Sequence, residues 1–303
     1  MLEVYAYNAG KGDCIRLHFA GTHNIFIDSG VSQFGTTFKG LCDNIIAAGE
    51  TLDVLILTHV DDDHIGGILS NLKKRSYICP FKEVWMNNYA DTVSFGDRRL
   101  SVQQNNEVYA ELLRRGVIVH EMKKGNTKNI AGATIETIWP DSIPRPDIRV
   151  QKDTNLTRHN DYRFTLSTLA NRRIVKHDRS INNKKSIVFK FTYDDHKLLF
   201  TGDAWAVDVI KAAGEYDLIK MPHHGSAGNI CEAYPKALKA SNFLICTDGS
   251  SHPDKQTIAK LEHWYGKINI YSPTAWWNNG FFVDSDKTHK INYYKKDGLV
   301  ISW

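Results

Sequence analysis

The stretch Thr58-His59-Val60-Asp61-Asp62-Asp63-His64-Ile65-Gly66-Gly67 packs two imidazoles and three carboxylates into six residues. It follows Leu52-Asp53-Val54-Leu55-Ile56-Leu57, a mostly apolar run of the kind that forms a strand buried on both faces. Gathering polar groups at the end of a buried strand is costly unless something compensates them. A pair of divalent cations does so, because carboxylates and imidazoles are their preferred ligands. Gly66 and Gly67 let the backbone pack closely beside such a site. The competing reading is an acidic helix N-terminus flanked by two incidental histidines. Two later segments repeat the construction. Leu198-Leu199-Phe200-Thr201-Gly202-Asp203 delivers one Asp after an apolar strand, and Leu218-Ile219-Lys220-Met221-Pro222-His223-His224-Gly225-Ser226 delivers two His. Each is weak alone, but three such strand ends in one chain argue against accident.

The elements that must position these groups follow from periodicity. Short strands are expected at Glu3–Tyr7, Cys14–Phe19 and Asn24–Asp28, joined by turns too short for helical crossovers and therefore antiparallel. Further strands are expected at Glu83–Met86, Val117–His120, Thr134–Trp139, Ser186–Tyr193, Lys197–Phe200, Asp217–Met221, Asn242–Cys246, Ile268–Tyr271, Lys290–Tyr294 and Leu299–Trp303. Helices are expected near Phe38–Ala48, Asn105–Arg115, Trp205–Ala213, Ile230–Lys239 and Lys255–Tyr265. Two groups of strands with interspersed helices suit a layered α/β sandwich better than a doubly wound sheet. No repeat or Gly/Ser linker divides the chain, so residues 1–303 read as one domain carrying an insertion at about 141–185.

Composition sets outer bounds. With 303 residues, 42% of them hydrophobic, the chain can bury a large core. It lacks an apolar run of the roughly 20 residues needed to span a bilayer. The N-terminus has no secretory pattern, and five widely spaced cysteines do not form a disulfide or zinc framework, so a cytoplasmic protein is expected. The net charge of +4 conceals an asymmetry. Between Arg145 and Lys185 there are eleven Lys/Arg against four Asp, a footprint suited to phosphate or nucleic acid unless it is a solvated insertion.

His59-Val60-Asp61-Asp62-Asp63-His64 resembles the H-x-H-x-D-H signature of the metallo-β-lactamase superfamily, with Asp61 at the second His, and Thr201-Gly202-Asp203 resembles the motif carrying its bridging carboxylate. More narrowly, five segments resemble, in order, motifs of the hydrolase domain attached to the bacterial competence DNA-uptake channel (ComEC-like). These are Tyr7-Asn8-Ala9-Gly10-Lys11-Gly12-Asp13, Ile27-Asp28-Ser29-Gly30, Asn183-Lys184-Lys185-Ser186, Pro222-His223-His224-Gly225-Ser226 and Ser251-His252-Pro253, and the match runs from about residue 3 to 272. The resemblance implies an α/β fold of four αββα layers with a dinuclear centre at one edge of the sheets. It implies that His59 and Asp61 hold the first metal, Asp63 and His64 the second, and that Asp203 bridges. One of His223 and His224 would complete the second metal and the other would face substrate. Asn183 stands where the superfamily usually has a His, which leaves it at most a weak ligand and leaves a single-metal site as an alternative. The oxygen-rich set favours manganese, with zinc next.

These residues imply hydrolysis of a phosphodiester, because cations lower the pKa of an attacking water and neutralise charge on a phosphoryl oxygen. Asp63, the free member of the His223/His224 pair and His252 are the candidates for proton handling, although His252 is equally readable as a turn residue before Pro253. Arg172, Arg173, Lys176, Arg179, Lys184, Lys185 and Ser226 are candidates for substrate binding. Trp276, Trp277, Phe281 and Phe282 could stack bases or could simply pack in the core. Lys11 and Asp13 are expected to position the opening loop. The leading expectation is a DNA nuclease, an effector or accessory subunit of a defence-type system, restrained by a regulatory protein partner. The alternatives are a hydrolase of a small phosphodiester, such as a cyclic nucleotide or phosphocholine ester, and a binding module whose site has decayed at Asn183.

Overall fold

The computed structural model describes residues 1–87, 100–142, 161–286 and 289–303. The opening strands β1 (Leu2–Ala6), β2 (Ile15–Phe19) and β3 (His23–Ile27) form the expected antiparallel meander, and β1 and β2 alternate buried and half-buried residues as one-faced strands should. Helix α1 (Gly35–Ala47) then crosses over to β4 (Thr51–Ile56), which runs parallel to β3. Helix α2 (Asp62–Leu72), β5 (Glu83–Trp85), α3 (Leu100–Arg114) and β6 (Ile118–His120) continue this sheet in parallel.

A second sheet begins with the hairpin β7 (Thr127–Ile130) and β8 (Ala133–Trp139). The sequence pattern misses β7, whose exposed, half-buried alternation carries little apolar signal; Ala131, with φ 46°, makes the turn. The short helices α4 (Leu166–Asn171) and α5 (Ile181–Lys184) precede β9 (Val188–Tyr193) and β10 (His196–Phe200), which turn at Asp194 as expected. Helix α6 (Ala206–Val209) ends in a 3-10 turn over 210–212, so the expected helix there is interrupted. The helix expected at Ile230–Lys239 reduces to one turn, α7 (Tyr234–Ala237). Beyond it β13 (Leu238–Lys239) pairs with β11 (Gly214–Glu215) and claims the rest of the segment. Strands β12 (Leu218–Lys220) and β14 (Asn242–Leu244), helix α8 (Lys255–Tyr265) and strands β15 (Ile268–Ser272) and β16 (Ile291–Lys295) complete the second sheet. The last strand, β17 (Gly298–Ser302), returns to pair with β1.

Among the described residues, the result is a seven-stranded sheet ordered β17-β1-β2-β3-β4-β5-β6 facing an eight-stranded sheet ordered β16-β15-β14-β12-β10-β9-β8-β7. Leu17, Phe19 and Ile56 of the first meet Phe189, Phe191 and Phe200 of the second in one buried cluster. The outer face of the first sheet is covered by α1, α2 and α3, and that of the second by α4, α6 and α8. This gives the four αββα layers expected. Within the expected insertion, 143–160 lie outside the described residues, Arg145, Arg149, Lys152 and Arg158 among them. The stretch from Asp161 onward is pinned to the start of α8: Gln256 N donates to Asp161 Oδ2 at 2.8 Å and Lys176 pairs with Asp254 at 2.8 Å.

Candidate metal centre

The ends of β3, β4, β10 and β12 meet at one edge of the two sheets. From β4 come Thr58 and His59, and Asp61 then takes the N-cap position of α2 with extended dihedrals. This cap places Asp62, Asp63 and His64 in the first turn, where carboxylates are favoured by the helix dipole. The three carboxylates diverge. Asp61 Oδ1 accepts from Asn182 at 3.0 Å, Asp62 turns away to accept from Ser32 at 2.6 Å, and Asp63 faces His224 Nε2 at 3.5 Å. The first turn of α2 approaches the opening loop so closely that a Cβ on Gly12 would lie 1.7 Å from the Asp63 carbonyl oxygen.

Asp203, buried after β10, is the hub. Its Oδ1 lies 3.5 Å from His64 Nε2, and its Oδ2 lies 3.8 Å from His59 Nε2, 3.8 Å from His223 Nε2 and 3.6 Å from His224 Nε2. Among the described residues, His59 Nε2, His64 Nε2, His224 Nε2 and Asp203 Oδ1 are buried polar atoms with no hydrogen-bond partner. Buried polar groups are rarely left in that condition. Separations of 3.5–3.8 Å are too long for hydrogen bonds, yet they suit ligands that share a cation at about 2.1 Å from each. The residues present therefore fit a divalent metal.

The far sides of the rings are held. His64 Nδ1 is 2.7 Å from Asp28, whose carboxylate also accepts from the Thr58 amide and hydroxyl. His224 Nδ1 is 2.9 Å from the Cys246 carbonyl and 3.3 Å from Asp13. Such anchoring fixes the ring orientation and commits Nε2 to the centre. Asp13, His64, Asp203 and His224 each offer a ligand atom within 4.8 Å of the others. Asp13 is thus part of the centre's buried core, a larger role than the loop positioning expected of it. It is also ion-paired with Lys220, which donates to the Gly202 carbonyl at 3.1 Å and stands 3.8 Å from Asp203 Oδ1.

The electrostatics follow from this packing. Burial opposes charge on Asp203, yet the surrounding His224, His64, His223 and His59 hold its carboxyl well below the usual range. Burial likewise opposes charge on His64, and Asp203 and Asp28 outweigh it, lifting the imidazole well above its ordinary value. His224 is raised to about 10 against burial by Asp203 and Asp13, whereas burial and the neighbouring His64 push His59 down to about 4. Asp13 is held at about 2 despite burial, chiefly by Lys220.

The remaining sequence candidates are scattered around this centre. Asn183 is buried, its NH2 donating to Asp178 at 2.8 Å. His252 packs against His223 with ring centroids 4.9 Å apart, and burial, with His223 and Lys176 nearby, pushes its pKa well below the ordinary value. Ser226 is buried and accepts from the Gly228 amide. Of the basic residues, Arg172 lies over Phe164, Lys176 is paired with Asp254, Lys184 lies over Trp205 and Lys185 is buried, while Arg173 and Arg179 are exposed. Trp276 and Phe281 are buried in the core beneath the second sheet, and the half-buried Trp277 and Phe282 pack on Tyr293. Sequence reasoning missed Lys220, Asp178 and Asn229. Only Lys220 carried a signal, as a charge inside an otherwise apolar strand.

Two facing sheets, helices on both outer faces and a His/Asp centre at one sheet edge decide the architecture. The fold is the metallo-β-lactamase fold. Similar solved structures include YhfI from Bacillus subtilis, a metallo-β-lactamase-fold protein that is 10% identical, with all of both chains covered and a TM-score of 0.48. A diphosphatase of the PhnP family is 10% identical over 100% of this chain and 98% of its own, with a TM-score of 0.46. The CmlA β-hydroxylase, as an E377D mutant, is 13% identical over 99% of this chain and 54% of its own, with a TM-score of 0.47. No family model and no curated protein matches the sequence. The fold alone does not select a reaction.

Proposed function

We propose that this metallo-β-lactamase-fold chain is a metal-dependent phosphodiesterase that cleaves DNA. The observation that carries the metal-dependent part is the convergence of three unpartnered, buried imidazole Nε2 atoms on the carboxylate of Asp203. The residues that would hold divalent cations, manganese or zinc, are His59, Asp61, Asp63, His64, Asp203, His223 and His224. Cations held there supply Lewis acidity toward a phosphoryl oxygen and activate water for attack. Asp28, Asp13 and the Cys246 carbonyl keep the imidazoles aimed, which removes reorganisation from the reaction. Asp63, partly exposed and 3.5 Å from His224 Nε2, is the carboxylate assigned to the proton of the attacking water. His252, whose ring centroid lies 4.9 Å from that of His223, is the second candidate for handling a proton.

The DNA reading is supported by the basic segment that leads into the site. Asp178, Asn182 and Asn183 of this segment touch His223 or Asp61, so exposed Arg179 stands next to the site's own supports. The test is cleavage of plasmid and single-stranded DNA by the purified protein with manganese, zinc, magnesium or chelator, beside an Asp63→Ala/His64→Ala double mutant. Metal-dependent cutting that the mutant lacks, and that falls steeply with salt, is the expected result. Hydrolysis of a short phosphodiester with no cutting of either polymer would replace the nuclease reading and keep the phosphodiesterase.

A further inference from the structure

The tandem histidines raise a question that the proposed function leaves open, namely whether they serve the same cation. Both have left-handed dihedrals, φ 46° and ψ 52° at His223 and φ 53° and ψ 24° at His224. Non-glycine residues rarely adopt that region, and two in succession persist only where the surroundings impose them. The effect is to splay the rings, whose planes stand at 71° with centroids 5.9 Å apart.

Each ring is anchored on a different wall. His224 Nδ1 rests on the Cys246 carbonyl and Asp13, on the side shared with His64. His223 Nδ1 lies 3.1 Å from Asn229 Oδ1 and 3.2 Å from Asp178 Oδ2. Asn229 donates its own NH2 to Asp178 at 2.8 Å and to the Asp203 and Ala204 carbonyls, so its Oδ1 is the acceptor for an Nδ1 proton on His223. That tautomer leaves the Nε2 lone pair facing Asp203 Oδ2 at 3.8 Å, an oxygen that His59 Nε2 and His224 Nε2 also approach, at 3.8 and 3.6 Å; what sets His224 apart is its 3.5 Å approach to Asp63 Oδ2. Asp61 Oδ2, 3.9 Å from His59 Nε2, closes this half of the centre. Asn183 directs its NH2 at Asp178 and holds that nitrogen 3.2 Å from His223 Nδ1, on the far side of the ring from Nε2, while its Oδ1 is buried with no hydrogen-bond partner.

Resting on the metal-dependent reading, we infer that His223 and His224 serve different cations. His59, Asp61 and His223 form one pocket on the Asp203 carboxylate, and Asp63, His64 and His224 form the other. Asn183 is a positioning residue that clamps the Asp178–His223 pair.

The experiment is metal stoichiometry, read by equilibrium dialysis with elemental analysis of the full chain against manganese alone and cobalt alone, together with the visible spectrum of the cobalt form. The wild type is expected to take two equivalents. His223→Ala and His224→Ala should each take one, with different cobalt spectra because the surviving ligand sets differ. Asn183→Ala should keep two, one of them bound about 10–100-fold more weakly. His223→Gln is the companion variant where the alanine protein fails to fold. Two equivalents in both His223 variants, or one in the wild type, would overturn the inference while leaving metal binding intact. No bound cation in the wild type would remove the metal-dependent reading and the inference together.

Discussion

At the scale of single residues, the centre is built from groups that point two ways: Nε2 atoms inward, Nδ1 atoms outward onto carboxylates and carbonyls. Asp28 illustrates the outward side, holding His64 and Thr58 with both oxygens. Asp28→Asn should preserve the fold and weaken metal affinity about 10–100-fold, measured by competition with a chromophoric chelator. Lys220 is the permanent cation of the same assembly; burial opposes its charge, and Asp13 and Asp203 raise its pKa regardless. Removing it strands a buried carboxylate. Lys220→Met should therefore destabilise the metal-free protein by about 3–5 kcal/mol in urea unfolding. Adding Asp13→Asn to it should cost less than the two single changes summed, and strict additivity would mean that the pair is not coupled.

At the scale of elements, the site depends on strand ends brought level and on segments stapled across the outer layer. One staple is buried: Lys255 at the start of α8 pairs with Asp286 at 2.5 Å, and Asp286 also accepts from the Leu166 amide of α4 at 2.8 Å and from the Val283 amide at 3.0 Å. Burial works against the charge on Asp286, but these bonds, led by that from Lys255, hold its pKa below the ordinary value. A depressed carboxyl contributes stability that is complete above its unfolded value of about 3.9 and is lost as pH falls through the folded value. Asp286→Asn should accordingly cost about 3–5 kcal/mol at pH 7, a gap to wild type that narrows below about pH 4. Unfolding curves at pH 7 and pH 3 would check both statements. A gap that widened in acid would contradict the sign.

At the scale of the whole molecule, the ligand candidates come from both sheets: His59, Asp61, Asp63 and His64 follow β4, while Asp203, His223 and His224 follow β10 and β12. A cation held among them ties the two halves of the sandwich together and stabilises only the folded chain. At a concentration 100 times its dissociation constant it adds about 2.7 kcal/mol. Chelation should lower the melting temperature by several degrees, and restoring manganese or zinc should recover it, as differential scanning calorimetry would read. An unchanged melting temperature would argue that the folded protein holds no cation.

What is local could be read from the chain alone. Apolar periodicity marked most of the strands, the short opening turns required antiparallel pairing, and the spacing His59-x-Asp61-x-Asp63-His64 after a buried strand pointed to ligand chemistry. The long-range partners were decided by the tertiary structure. Nothing near Lys220 in sequence announces Asp13, and nothing near His223 announces Asp178 or Asn229, because these contacts exist only once β12, the opening loop and the segment before α5 converge. The division of labour between His223 and His224 has the same origin. Adjacent in sequence, identical in chemistry and alike in their left-handed dihedrals, they differ in surroundings, one ring resting on the Cys246 wall and the other on the Asp178 wall. Burial in a low-dielectric interior makes such orientation matter, since each ring nitrogen must either find a partner in the protein or face a cation.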